Sequence, residues 1–459
     1  MRVHILLGAC ALFCVQGMSA NPIESFRALV QTGTWTENRA DAEGKSQPHE
    51  VKGELWSAAI QAALAQQNTV HLPARPEPYY LDAPIVLNSG QSLTADPTTE
   101  IRLRPGSNTC MVRNEHVLGF REGPVPAGLQ PDTDIRVEGG IWTTLANGVK
   151  GANGNMRGSS ASRDGVPGTH GVILLHNVRR ITVRNVTIRQ SKAFGVHLAN
   201  VREFLVEGVI LDRQERDGVH VNGPASEGVI RDVSGDSHDD PVALNAWEWE
   251  NYAPTFGPIH HVTIEGIRGA PEGKHSTDSI RLLPGVKRFA DGSTLDCPIH
   301  DIVLRDITDI REFKFYDQPN LEKGRDNDFS VEVGTLRDIQ LQGLTFTRPG
   351  VIQVAAEVEG LRVDDVRLAF TPAPAYRLIA IGPMSATYRP GNDPSRWVEI
   401  FSPDRDVTVK GLRLGKVMVK GQPVEDAKSR FVSVKDQQIN PDYPRTLPRG
   451  GLGKARLLP

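Results

Sequence analysis

The sequence is short of several things, and each shortage removes a class of protein. Cysteine is rare: Cys10, Cys14, Cys110 and Cys297 are all there is in 459 residues, and their spacing gathers no zinc ligands. Charge of one sign is scarce too. The formal net charge is −3, which implies neither a nucleic acid partner nor an anionic membrane surface. Long apolar runs are missing. The only candidate lies within residues 1–20 and falls short of the roughly 20 residues that span a bilayer.

That first segment reads as a secretory signal. Arg2 supplies the positive end, the run from Ile5 to Val15 is mostly apolar, and Met18-Ser19-Ala20 offers small residues at the cut. A lipoprotein anchor at Leu7-Gly8-Ala9-Cys10 is disfavoured, because the box comes too early to leave an apolar region before it. The expected location is secreted or periplasmic. Cys110 and Cys297 would then remain, either as a disulfide or as buried thiols. The expected molecule is a monomer without a membrane span.

What is present is turn-forming residue and modest hydrophobicity: 44 glycines, 32 prolines, 39% hydrophobic and 23% charged. This favours many short strands over long helices. Residues 21–53 are polar and uneven, and an irregular leader is expected there. Leu55-Trp56-Ser57-Ala58-Ala59-Ile60-Gln61-Ala62-Ala63-Leu64 has helical spacing. Short apolar runs such as Thr69-Val70-His71-Leu72 and Glu100-Ile101-Arg102-Leu103 follow, separated by turn residues.

From Asp134 the chain repeats itself. Ile181-Thr182-Val183-Arg184 returns as Phe204-Leu205-Val206-Glu207, and more loosely at Val229, Val262, Ile302, Leu336, Leu361 and Val407. A second strand begins at Gly171, Gly195, Gly218 and Pro241, at intervals of 24, 23 and 23 residues, and continues at Ser279. A fixed period of this size marks a solenoid. Units of two or three short strands leave no room for a crossover helix, so the expected fold is all-β, a right-handed single-stranded parallel β-helix with a short N-terminal capping helix. It would occupy residues 54–435, with its cap at 54–110 and a tail at 436–459. Alternation places Val219 and Val221 in the core, and His197, His220, Ala243 and Arg281 on one outward column. Residues 147–168, 247–258 and 312–328 interrupt the coils, and such insertions gather on one face.

Candidate chemistry follows from the register. One position before each repeat glycine, the column reads Phe194, Asp217, Asp240 and Asp278, with Asp239 beside Asp240. Adjacent coils lie about 4.8 Å apart. Asp217, Asp239 and Asp240 therefore crowd, and crowded carboxylates raise at least one pKa, giving one acid and one base. His197 and His220 can orient a substrate. Trp247, Trp249 and Tyr252 can stack on sugar rings. A solvated histidine ladder and a loop packing its own aromatics are equally good readings of those two sets. Asp278 reads as structural.

Asp217-Gly218-Val219-His220-Val221 and Asp239-Asp240-Pro241-Val242-Ala243-Leu244 resemble the Asp-Gly and Asp-Asp motifs of glycoside hydrolase family 28, the polygalacturonase-like enzymes of the pectate-lyase-like superfamily. Ser279-Ile280-Arg281-Leu282-Leu283 resembles that family's later Arg-Ile-Lys strand. The resemblance implies glycoside hydrolysis with inversion, with Asp239 as general acid, Asp217 and Asp240 holding the water, and Arg281 binding substrate. Leu283 stands where the family has lysine, and Glu215-Arg216 where it has Asn-Thr. The substrate the resemblance implies is a poly- or oligosaccharide, acidic or neutral. Two other functions fit the same sequence. A lyase would hold Ca²⁺ on the carboxylates and use Arg281 as base; a carbohydrate-binding solenoid would do no chemistry. The hydrolase needs no cofactor.

Overall fold

A computed structural model of the chain describes residues 23–40, 46–107, 109–118, 125–144, 171–248, 253–270, 278–289, 291–316, 334–383, 385–388, 398–401, 406–436, 445–446 and 454–459. The expected signal segment, the insertion at 147–168, Trp249 and Tyr252 lie outside these residues.

The chain forms a right-handed parallel β-helix. Among the described residues 29 strands join into one hydrogen-bonded network, with a two-stranded and a three-stranded sheet apart from it. Parallel pairing runs coil upon coil, as in Phe194–Gln214 on Val219–Ser237 and Val219–Ser237 on both Val242–Asn245 and Ile259–Glu265. The alternation expected from the sequence is the alternation observed. Val196, Val219, Val242, Ile280, Phe313, Ile352 and Ile379 stack inward in one row, all fully buried. The neighbouring outward row reads His197, His220, Ala243, Arg281, Lys314, Gln353 and Ala380. A single coil cannot bury its apolar row, so stability comes from stacking.

Corners repeat as well. Asp134, Arg180, Glu203, Glu227, His261, Asp301 and Asp338 each adopt a left-handed backbone conformation, with φ between 52° and 61°. A left-handed residue turns the chain sharply, and seven non-glycine residues accept its cost of roughly 1 kcal/mol or more because the stacked coils above and below fix the corner.

The expected irregular leader is in fact ordered. Ile23–Leu29 is a 3-10 helix, and Gln31–Ala40 pairs antiparallel with Ser46–Leu55. Composition hid this hairpin because its anchors are polar or distant. Trp35 packs edge-on against Tyr80 at 4.8 Å, and fully buried Glu37 accepts hydrogen bonds from the Tyr80 hydroxyl and Arg102. The capping helix, Ser57–Gln66, buries Ala59, Ile60, Ala63 and Leu64 against the first coils. The tail corrects its reading too: Ala455–Leu458 adds a parallel strand to Val407–Lys410. Glu312–Phe315, expected to open an interruption, is a regular rung. Cys110 and Cys297 are separate buried thiols. Among the described residues no helix is long and apolar enough to cross a membrane.

A second inward row, Leu198, Val221, Leu244 and Leu282, equally buried, makes a simple forecast. Leu244→Ala should cost about 2–5 kcal/mol, read from chemical denaturation, because neighbours locked in the ladder cannot collapse onto the cavity. Ile210→Ser, at a position 51% exposed, should stay within about 0.5 kcal/mol.

Candidate active site

The site is built where two coils and one loop meet. Asp217 and Asp240 occupy equivalent places on consecutive coils, joined by the bond from Gly218 N–H to the Asp240 carbonyl at 2.9 Å. The residue after Asp217 has to be glycine: a Cβ there would stand 2.5 Å from Leu211 Cδ1 and 2.7 Å from the Pro241 carbonyl oxygen. Asp278 continues the column, but its carboxylate turns to Arg348 Nη2 at 2.5 Å.

Two buried acids this close need cations, and the outward row supplies them. Arg281 Nη2 lies 3.1 Å from Asp217 Oδ2 and 2.5 Å from Asp240 Oδ2. Lys314, one coil further on, places Nζ 3.4 Å from Asp240 Oδ1, which also accepts from the Ser279 hydroxyl. His220 Nδ1 is 2.6 Å from Asp217 Oδ2, and its Nε2 faces Glu248 Oε1 at 3.4 Å. Burial alone would raise the Asp217 pKa. The Arg281 charge, the His220 hydrogen bond and Arg216 reverse this and hold the carboxyl well below the usual range.

Asp239 differs from both. Its side chain keeps 25% of its surface exposed, and Arg216 Nη1 lies 3.3 Å from its Oδ2. Burial of the group, then the charges of Asp217 and Asp240, push its pKa up to about 7, against the opposing pull of Arg216 and Arg281. One carboxyl that keeps its proton near neutrality beside one that does not is the pairing acid/base chemistry requires.

The other expected residues fall into place less uniformly. His197 and His220 do stand on one outward row, yet they are 2% and 1% exposed, which rules out a solvated ladder. His197 Nε2 bonds Asn222 Oδ1 at 2.8 Å, and His220 stacks flat on Phe194 with ring centres 3.9 Å apart. Trp247 is buried, its ring lying where a Cβ on Gly285 would be, so it packs the exit from the rung rather than offering a sugar platform. Trp249 and Tyr252 are outside the described residues.

Sequence reasoning missed four partners. Lys314 was readable, since Phe313 and Phe315 flank it with the repeat's alternation. Ser279 opens a strand already aligned. Arg216 was noticed only as a departure from a motif. Glu248 left no signal, because it comes from the aperiodic stretch after Asn245.

The three carboxylates place one oxygen each within 4.8 Å of one another, near enough to suggest a divalent cation. Several of the oxygens already have partners. Asp217 Oδ2 is taken by Arg281 and His220, and both Asp240 oxygens by Arg281, Lys314 and Ser279. Arg281, Lys314 and the His220 ring thus lie against these oxygens.

Fold and site together define a parallel β-helix with a buried carboxylate cluster. No protein-family model matches the chain, and no curated protein matches it in sequence. Among solved structures it is similar to the family 28 exopolygalacturonase of Yersinia enterocolitica (TM-score 0.45, 12% identity, 93% of this chain and 83% of that one). It is also similar to a polygalacturonase from Erwinia carotovora (TM-score 0.41, 11% identity, 85% and 94%). A third is the A-module of an Azotobacter vinelandii mannuronan C-5 epimerase (TM-score 0.41, 12% identity, 86% and 96%). At such identities the likeness concerns the fold alone.

Asp239 makes a test independent of any substrate. Its carboxyl titrates near its ordinary 3.8 when unfolded and at about 7 when folded, so folding stability from this group is full below about pH 4 and is lost as pH rises through 7. Asp239→Asn removes the loss. Its melting temperature should exceed that of the wild-type protein at pH 8 and converge with it near pH 4.

Proposed function

We propose that the protein acts on carbohydrate and, more particularly, that it hydrolyses the glycosidic bond of a poly- or oligosaccharide. One observation carries the reading: Asp239, partly exposed with its pKa pushed up to about 7, stands beside Asp217, buried and held well below the usual range.

In this reading the Asp239 carboxyl gives its proton to the glycosidic oxygen as the bond to the anomeric carbon breaks. The leaving sugar departs as an alcohol. A water held by Asp217 and Asp240 attacks the anomeric carbon and passes its proton to one of them. Oxygens within 4.8 Å of one another can share one water at ordinary hydrogen-bond lengths. That spacing is tighter than the roughly 6.5–9.5 Å of most inverting pairs, so inversion rests on the motif resemblance and not on the general spacing rule.

The lyase reading is disfavoured by two features of the cluster. Cations already engage the oxygens a Ca²⁺ ion would need, and Arg281 is bound between two carboxylates, where a base should be free to accept a proton.

Purified protein on a glycan panel should generate reducing ends, with no unsaturated product absorbing in the ultraviolet and no loss of activity in chelator. Asp239→Asn and Asp240→Asn should each lower turnover by about 10²–10⁴-fold with the fold intact. Near-normal turnover in both would end the assignment; binding retained by an inactive wild-type protein would favour the carbohydrate-binding solenoid. The first product anomer, read by proton NMR, decides the stereochemistry. A second forecast concerns pH. Activity should fall as pH rises through about 7, where Asp239 loses the proton it donates.

A further inference from the structure

Glu248 is a buried carboxylate that the acid/base scheme does not use. It follows Asn245-Ala246-Trp247, where the chain leaves the repeat, and its Oε1 accepts from Asn245 Nδ2 at 2.5 Å. The same oxygen faces His220 Nε2 at 3.4 Å, while His220 Nδ1 meets Asp217 Oδ2 at 2.6 Å. Both ring nitrogens of one buried imidazole therefore face carboxylate oxygens. A neutral imidazole has one N–H and one lone pair, so it would turn a lone pair toward a carboxylate. An imidazolium has two N–H groups and meets both.

The rest of the surroundings agrees. Phe194 lies flat against the ring, interplanar angle 9°, offering its π face to a cation. His197 approaches edge-on at 5.2 Å, and its Nε2 is committed to Asn222. His176, beyond it, is held neutral by burial, its pKa down to about 4. Arg281 shares Asp217 Oδ2 with His220, and Arg216 lies over the Phe194 ring at 5.7 Å. These positive groups oppose a charged His220; Asp217 and Glu248 are the carboxylates that face it.

We propose that Glu248 and Asp217 together hold His220 as a buried imidazolium, and that Glu248 is thereby a positioning residue that keeps Asp217 ionised and aimed at the reaction centre. This rests on the acid/base reading above for its effect on rate, though not for its effect on His220. Burial opposes the charge, and the Asp217 carboxylate that accepts from Nδ1, with the Glu248 carboxylate facing Nε2, overcomes it, raising the His220 pKa above its ordinary value. Removing one of two carboxylates returns the advantage to the neutral ring.

The test reads His220 directly. Its imidazole ¹⁵N and ¹³C signals, assigned by their loss in His220→Gln, should show a protonated ring at pH 7 in the wild-type protein. In Glu248→Gln the midpoint should fall by about one to three units; Glu248→Asp should recover part of the shift. The alkaline limb of kcat should move to lower pH in Glu248→Gln, since His220 there loses its proton before Asp239 does. A residue that merely packs the loop would lower the melting temperature and leave the His220 midpoint unchanged. A neutral His220 at pH 7 in the wild-type protein, or an unmoved midpoint in Glu248→Gln, overturns the proposal. A shifted midpoint in a protein that hydrolyses no glycan upholds the charge relation and removes the hydrolase reading instead.

Discussion

The rise from one coil to the next governs everything else in this molecule. Ladder hydrogen bonds fix it at about 4.8 Å, and side chains at equivalent positions must then stack whether or not they suit one another. For Val196, Val219, Val242 and Ile280 the stacking is favourable, and an unbroken apolar row results. For Asp217 and Asp240 it is costly. Two carboxylates are driven together in a buried place, and a lone buried charge is destabilising unless paired. The chain answers at the same pitch. Arg281 and Lys314 rise from the following coils of the neighbouring row, and Arg348 meets Asp278 where the acid column ends.

That regularity explains what could be read from the sequence. A period of 23 or 24 residues revealed the solenoid, the alternation separated Val219 from His220, and the column placed Asp217 over Asp240. These are consequences of register, and register is written locally in each coil. Whatever depends on departures from the period was harder to see. The hairpin of Gln31–Ala40 and Ser46–Leu55 is anchored by Tyr80 and Arg102, dozens of residues away. Lys314 obeyed the period but sat in a charged stretch that looked like an interruption. Glu248 obeyed nothing periodic, and only the folded chain brings it to His220.

Burial was the second thing the pattern could not give. Alternation states which way a side chain points, not whether anything lies over it. His197 and His220 point outward and are nevertheless covered, and Trp247 turns down onto Gly285. Covering decides the chemistry. An exposed His220 would titrate as an ordinary imidazole with water at either nitrogen. Enclosed between Asp217, Glu248 and Phe194, its charge is set by the protein.

The division of labour that follows is between ladder and loop. The ladder places Asp217 and Asp240 and begins to distinguish them, since its rungs set His220 against the one and Lys314 and Ser279 against the other. Further difference enters beside the rungs: Glu248 acting through His220 on one side, Arg216 beside Asp239 on the other. Among the described residues the cluster then sets four carboxylates, Asp217, Asp239, Asp240 and Glu248, against four cationic side chains, Arg216, Arg281, Lys314 and His220. A single proton moving on or off Asp239 changes the balance by one. Proton transfer is thus a change of one charge within a set of paired groups, and Glu248, from beyond the rung, is the member that the repeat alone would not have specified.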